Sequence, residues 1–183
     1  MLIITETKRT ILRQFTLDDA TFIHELVNQP AWHRFIGDSG VHSLDDARRY
    51  LETEPLASYQ VHGFGLYAVD LKEVNAPIGM CGLLKRETMD NIEIGFALLP
   101  RFERQGLAFE AATATLAYAC DTLGLDRIVA ITALDNERSM HLLERLGLRY
   151  ERLIYLPKVD HPLRLYSLTF SQTHIASEPD AEV

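Results

Sequence analysis

The chain has 183 residues, with 26 acidic against 18 lysine and arginine side chains and a formal charge of −8. That length suits one domain burying roughly 70% of its unfolded surface, and the acidic balance argues against general nucleic-acid binding, which needs a basic face. No apolar run approaches the roughly 20 residues of a bilayer span, and the opening MLIITETKRT turns polar too early for a signal-peptide core, so a cytoplasmic protein is expected.

Cys81 and Cys120 each sit in an apolar segment without a CxxC pair and read as buried small hydrophobes. The seven histidines lack ligand spacing such as HExxH, so no metal site is expected.

In chain order, RTILRQF (9–15) predicts a first strand. Thr16 with Asp19 forms a capping-box pattern ahead of the helical TLDDATFIHELV, and Ser43 with Asp46 repeats it ahead of LDDARRYLE. The aromatic-bearing NQPAWHRFIGDSG connects these helices. FGLYAVDL and PIGMCGLL predict a hairpin through the turn-prone KEVNA. NIEIGFALL alternates, with Ile92, Ile94, Phe96 and Leu98 on one face and Glu93, Gly95, Ala97 and Leu99 on the other.

A long helix follows from about Gly106 to Leu123. RIVAITA is β-branched and apolar, as a buried strand requires. NERSMHLLERLG predicts a short helix stopped by Gly147, and RYERLIYL and LRLYSLTF supply two closing strands. The pattern implies a mixed α/β fold with a mostly antiparallel central sheet flanked by helices. It forms a single domain over residues 1–170. Residues 171–183 carry Glu178, Asp180 and Glu182 in a polar tail not expected to fold.

Between the NIEIGFALL strand and the long helix lies PRFERQGLA. GxxxxGK[ST] and GxGxxG are both absent, which removes a P-loop and leaves a Rossmann site unsupported. Gly106 permits backbone conformations and close approaches that a Cβ would obstruct. The turn would aim free amides and the positive end of a helix dipole at an anion, with Arg101 and Arg104 adding charge. From the residues alone it is either such a cradle or an ordinary strand-to-helix turn with surface arginines.

Taken together, EIGFALLPRFERQGLAFEA and LDRIVAITALDNERSMHLLERLGL resemble the GNAT superfamily of N-acetyltransferases, in particular the RimJ/RimL type. That type acetylates N-terminal amines of ribosomal proteins or other primary amines. The likeness is tightest over 91–155 and extends more loosely to RTILRQFTLDDA and RLYSL. It implies the GNAT fold, acetyl-CoA as co-substrate and an amine acceptor. It also implies direct attack in a ternary complex, and no cysteine stands where an acyl-enzyme would need one.

By that resemblance the pyrophosphate rests on the amides of Arg104, Gln105, Gly106, Leu107, Ala108 and Phe109. Pantetheine, with amides that need partners once water is displaced, pairs with the backbone of Phe96, Ala97 and Leu98. The family's Q/R-x-x-G-x-G/A pattern has Glu103 at its first position here, a departure in a site built mostly of backbone.

An alkylamine with a pKa near ~10 must lose a proton before it attacks, and a carboxylate in reach, directly or through one water, can take it. The resemblance gives that role to Glu93, otherwise a polar-face strand residue. Asn136 and Ser139 form N-x-x-S at a helix start, where simple capping is the alternative. In the family the Asn contacts pantetheine and the Ser lies near the sulfur as a candidate proton donor. Leu143 replaces the tyrosine that serves as acid in many other members. The backbone N–H of Leu98 is the expected oxyanion donor.

Trp32 and Phe35 are expected to wall the acceptor pocket, and Tyr166 to reach it from the last strand. His33 is a minor candidate for a second base, and His141 a plain helix residue. Alternative functions are a small-molecule acetyltransferase for polyamine or antibiotic amines, or a non-catalytic acyl-CoA-binding module. The sequence leaves oligomeric state open, a homodimer included.

Overall fold

In a computed structural model of the chain, the described residues are 2–157 and 159–170. The acidic tail expected at 171–183 lies outside them. Eight strands form one sheet in the order β1-β2-β3-β4-β5-β6-β8-β7. They are β1 (Ile3–Glu6), β2 (Thr10–Arg13), β3 (Leu66–Leu71), β4 (Ala76–Leu84), β5 (Ile92–Leu98), β6 (Arg127–Ala133), β7 (Arg149–Ile154) and β8 (Leu163–Thr169). Every neighbouring pair is antiparallel except β5 and β6. The expected mixed α/β architecture with a mostly antiparallel sheet is therefore present.

Among the described residues six α-helices cover the sheet: α1 (Ala20–Val27), α2 (Pro30–Phe35), α3 (Leu44–Leu51), α4 (Ala57–His62), α5 (Leu107–Asp121) and α6 (Glu137–Arg145). The Thr16–Asp19 capping box forms, and Ser43 caps α3 through one arm of its box. Asp19 Oδ2 accepts from the Thr16 amide at 2.9 Å, and Ser43 Oγ accepts from the Asp46 amide at 3.2 Å. These contacts satisfy helix-start amides that have no intrahelical acceptor.

The two faces of β5 separate two cores, as its alternation predicts. Ile92, Ile94, Phe96 and Leu98 join Leu107, Ala111, Ala112 and Leu116 of α5 and Leu143 of α6 on one side. Ala97 and Leu99 join Phe15, Ile23, Leu26, Trp32, Ala47 and Leu51 beneath α1–α3 on the other. The first side is the α5/α6 face and the second is the α1–α3 face.

Three elements depart from expectation. β1 adds an edge strand before the predicted first one. The 30–35 stretch, expected as a connection, is helical, with Pro30 at its first position, where a missing N–H costs nothing. The helix beginning at Leu44 continues past Pro55 through a π turn at Glu52–Leu56 into α4. That wider turn takes a proline that would interrupt an i→i−4 ladder.

Candidate active site

The site begins where β5 and β6 part. Their ladder consists of two pairs, Ile92 with Ile128 and Glu93 with Val129. On its other edge β5 stays zipped to β4 through Leu98. Leu99 N–H donates to Ile78 at 2.8 Å, so hydrogen-bonded pairs along this antiparallel ladder fall on Leu99, Ala97 and Gly95. The N–H and C=O groups of Phe96 and Leu98 consequently point to the side vacated by β6, while those of Ala97 serve the sheet. This edge offers an extended ligand two donors and two acceptors.

The β5–α5 turn lies just beyond. Gly106 has φ +77° and caps α5; Arg104 also adopts a left-handed φ of +60°. Non-glycine residues hold that region at a cost near ~1–2 kcal/mol, and such strain clusters at ligand clamps. The first helical bond in α5 runs from Glu110 N–H to the Gly106 carbonyl at 3.0 Å. The amides from Gly106 to Phe109 precede it and have no intrahelical acceptor, an arrangement suited to cradling an anion.

A contact not foreseen from the sequence braces the cradle. Arg9, in the β1–β2 turn, donates Nη1 to the Gln105 carbonyl at 2.9 Å and Nε to Glu110 at 2.7 Å. Glu110 also accepts from Thr7 Oγ1 at 2.5 Å and from the Arg9 amide at 2.7 Å. Glu103, the residue that departs from the family pattern, pairs with Arg138 of α6 at 2.6 Å. Asp135, ahead of α6, pairs with Arg34 of α2 at 2.6 Å. Between α2 and the start of α6 is a cavity of about 420 Å³, lined among others by Pro30, Phe35, Asn136 and Arg138.

Glu93 is 5% exposed and lies on the α1–α3 face of β5. Arg86, from the β4–β5 loop, donates Nε to Glu93 Oε2 at 2.5 Å, while Nη2 is 3.4 Å from Oε1. Burial raises the Glu93 carboxyl above the ordinary 4.5, and Arg86 offsets only part of that. Burial opposes the charge on Arg86, but Glu93, with a smaller contribution from Glu54, holds it more firmly protonated. A buried carboxylate raised above its ordinary value, next to an opened sheet, is a candidate proton acceptor. The sequence carried no sign of Arg86, because its pairing with Glu93 crosses a loop.

Asn136 caps α6, its Oδ1 accepting from the Ser139 amide at 3.2 Å. The two residues are thus held together at the end of β6, on the α5/α6 side of the opened strands. Phe35 is half-buried at the cavity mouth, with the Arg34 guanidinium 4.9 Å over its ring. Trp32 lies inside the core on the α1–α3 face, 6% exposed, and donates Nε1 to Ser39 at 2.9 Å. Tyr166 is packed on the α5/α6 face, edge-on to Tyr150 at 5.8 Å. Neither lies on the cavity wall. His33 and His141 are exposed.

Two parallel strands thus part above a glycine turn at a helix start, with a buried carboxylate beside them. Residues 9–149 match the model of the "Acetyltransferase (GNAT) domain", and the chain belongs to the GNAT acetyltransferase family. It is 31% identical over 153 residues to the uncharacterized N-acetyltransferase YoaA of Bacillus subtilis, covering 82% of this chain and 85% of that one. It is 33% identical over 88 residues to the [ribosomal protein uS5]-alanine N-acetyltransferase of Escherichia coli, covering 48% and 45%. The fold matches RimL, the ribosomal L7/L12 α-N-protein acetyltransferase solved with coenzyme A. The TM-score is 0.78 at 20% identity, over 91% of this chain and 97% of that one.

Proposed function

We propose that this GNAT enzyme transfers an acetyl group from acetyl-CoA to a primary amine, namely an N-terminal α-amine of the ribosomal-protein type. The observation that carries the reading is the short β5–β6 ladder, which leaves the Phe96 and Leu98 backbone open three and five residues along the strand from buried Glu93. The ribosomal class is supported by the likeness to the uS5-alanine enzyme over about half the chain. A ribosomal acceptor implies work in the cytoplasm. A homodimer is compatible with the reading and plays no part in the chemistry.

In this reading pantetheine lies along the open edge of β5, and the pyrophosphate rests on the amides from Arg104 to Phe109. The Asn136 side-chain oxygen is used in capping, which leaves its NH₂ to meet a pantetheine carbonyl. The amine arrives on the α1–α3 face and yields a proton to Glu93. Oε1 is the receiving oxygen, since Arg86 grips Oε2 more closely. Leu98 N–H meets the oxyanion. The carbon–sulfur bond breaks toward the opposite face, where Ser139 stands ready to protonate the thiolate. Base and leaving group thus lie on opposite sides of the opened sheet, so the amine proton and the thiolate are handled by separate groups as the tetrahedral intermediate forms and collapses.

The experiment is to incubate the protein with acetyl-CoA and a panel of N-terminal peptides, polyamines and aminoglycosides while measuring released thiol. Faster release with peptides bearing ribosomal N-termini is expected. Turnover confined to polyamines or aminoglycosides would move the acceptor to the small-molecule class, and no release above hydrolysis would overturn the reading.

A further inference from the structure

Along β6 the side chains facing α5 and α6 are Ile128 and Ala130 and, by strand alternation, Thr132. Thr132 is 5% exposed, and its Oγ1 has no hydrogen-bond partner among the described residues. Buried hydroxyls are almost always paired, so one without a protein partner points to something it meets in function.

Its position narrows what that is. The β5–β6 ladder ends at Val129, so Thr132 stands three residues beyond the parting point, beside the open edge of β5. It lies four residues before Asn136 and on the same side of the sheet as α6. Its cross-strand neighbour on β8 is Arg164, whose Nε is likewise buried without a partner. The two groups do not satisfy one another, so the hydroxyl proton is free to be donated.

We propose that the Thr132 hydroxyl donates a hydrogen bond to the coenzyme A sulfur on the leaving-group side of the acyl site. This rests on the acetyl-CoA reading above. As the amine nitrogen bonds to the acetyl carbon, the carbon–sulfur bond breaks and its electron pair passes to sulfur. Glu93 carries off the amine proton. Thr132 stabilises the developing thiolate without giving up its proton, which leaves Ser139 or water to protonate the sulfur.

Two variants test the assignment. Thr132→Val keeps the shape and removes the hydroxyl. It should lower kcat about three- to tenfold, the worth of one ordinary hydrogen bond, with Thr132→Ser restoring most of the rate. Thr132→Cys, treated with coenzyme A disulfide, should exchange to a mixed disulfide seen by intact mass, and acetyl-CoA should block it. The parent protein, whose Cys81 is buried, controls for labelling of Cys81 and Cys120. Wild-type kcat in Thr132→Val together with no acetyl-CoA-sensitive adduct would overturn the inference while leaving the acetyltransferase reading intact. Failure of the parent protein to bind acetyl-CoA would overturn both.

Discussion

Arg86 Nε stands 2.5 Å from Glu93 Oε2, and in the proposed mechanism this pairing sets how readily the nearly buried carboxylate would take a proton. Burial alone favours the neutral acid, and the guanidinium restores part of the charge. Glu93 must be ionised to accept a proton, so the acid limb of kcat/KM should rise through a value above the ordinary 4.5. Arg86→Met removes the compensating charge and should move that limb to higher pH. Glu93→Gln should cost about 10²–10⁴ in rate on a high-pKa amine. A wild-type rate near pH 7 for Glu93→Gln would remove it as the base.

The cradle glycine allows a separate test of the cofactor side. A Cβ at Gly106 would lie 3.5 Å from Arg9 Nη2, an ordinary contact, while its φ of +77° is strained for any other residue. Gly106→Ala should therefore lower stability by about 1 kcal/mol through the backbone. It should also raise KM for acetyl-CoA severalfold, because relaxing φ re-aims the amides that follow. Urea denaturation and acetyl-CoA titration would show whether the two effects occur together.

Glu110 links that cradle to acid stability. Burial alone would raise its carboxyl, but the Thr7 hydroxyl and the Arg9 amide and guanidinium outweigh it and hold it below 4.5. A carboxyl depressed in the folded state contributes stability above its unfolded pKa and loses it as pH falls through the folded value. Glu110→Gln should cost roughly 1–2 kcal/mol at pH 7, charge-assisted bonds being worth more than this when fully buried and less when exposed. The gap from wild type should close on acidification below about 4.5. A gap that stays constant from pH 7 to pH 3 would contradict this account.

Local patterns carried much of the architecture. The alternation of NIEIGFALL assigns its two faces to the two cores as found, and the two capping-box patterns mark helix starts that form. The motifs that place Glu93, Gly106 and Asn136 are contiguous, so they could be recognised in one dimension. What escaped depends on contacts between distant segments or on tolerance of a breaker. β1 is a four-residue strand that gains its place by pairing with β2 and packing Ile4 on the α5 side of the sheet. Pro55 argues for a helix end, yet a π turn carries the chain past it. Arg9 meets Gln105 and Glu110 about a hundred residues away in sequence. Trp32, the one tryptophan, reads as a pocket wall when its burial beneath the sheet is unknown.

The acceptor class should be legible in the basic half of the pH profile. An α-amine with a pKa near ~7.7–8.0 is about a tenth neutral at pH 7, whereas a lysine-like amine near ~10.4 is neutral in fewer than one molecule in a thousand. If the natural acceptor is an N-terminus, kcat/KM for the peptide should level off near pH 8, while that for a polyamine should keep climbing toward pH 10. Glu93→Gln should then slow the polyamine more than the peptide, because the peptide's amine reaches its reactive form with less help. The Arg86 charge beside Glu93 acts in the same direction, since a second cation on a polyamine is repelled near the base. Arg86→Met should therefore improve KM for polyamines relative to peptides even as its acid limb moves upward. Steady-state profiles of both acceptors on the three proteins measure this, and parallel profiles for peptide and polyamine would rule out an acceptor preference set at Glu93.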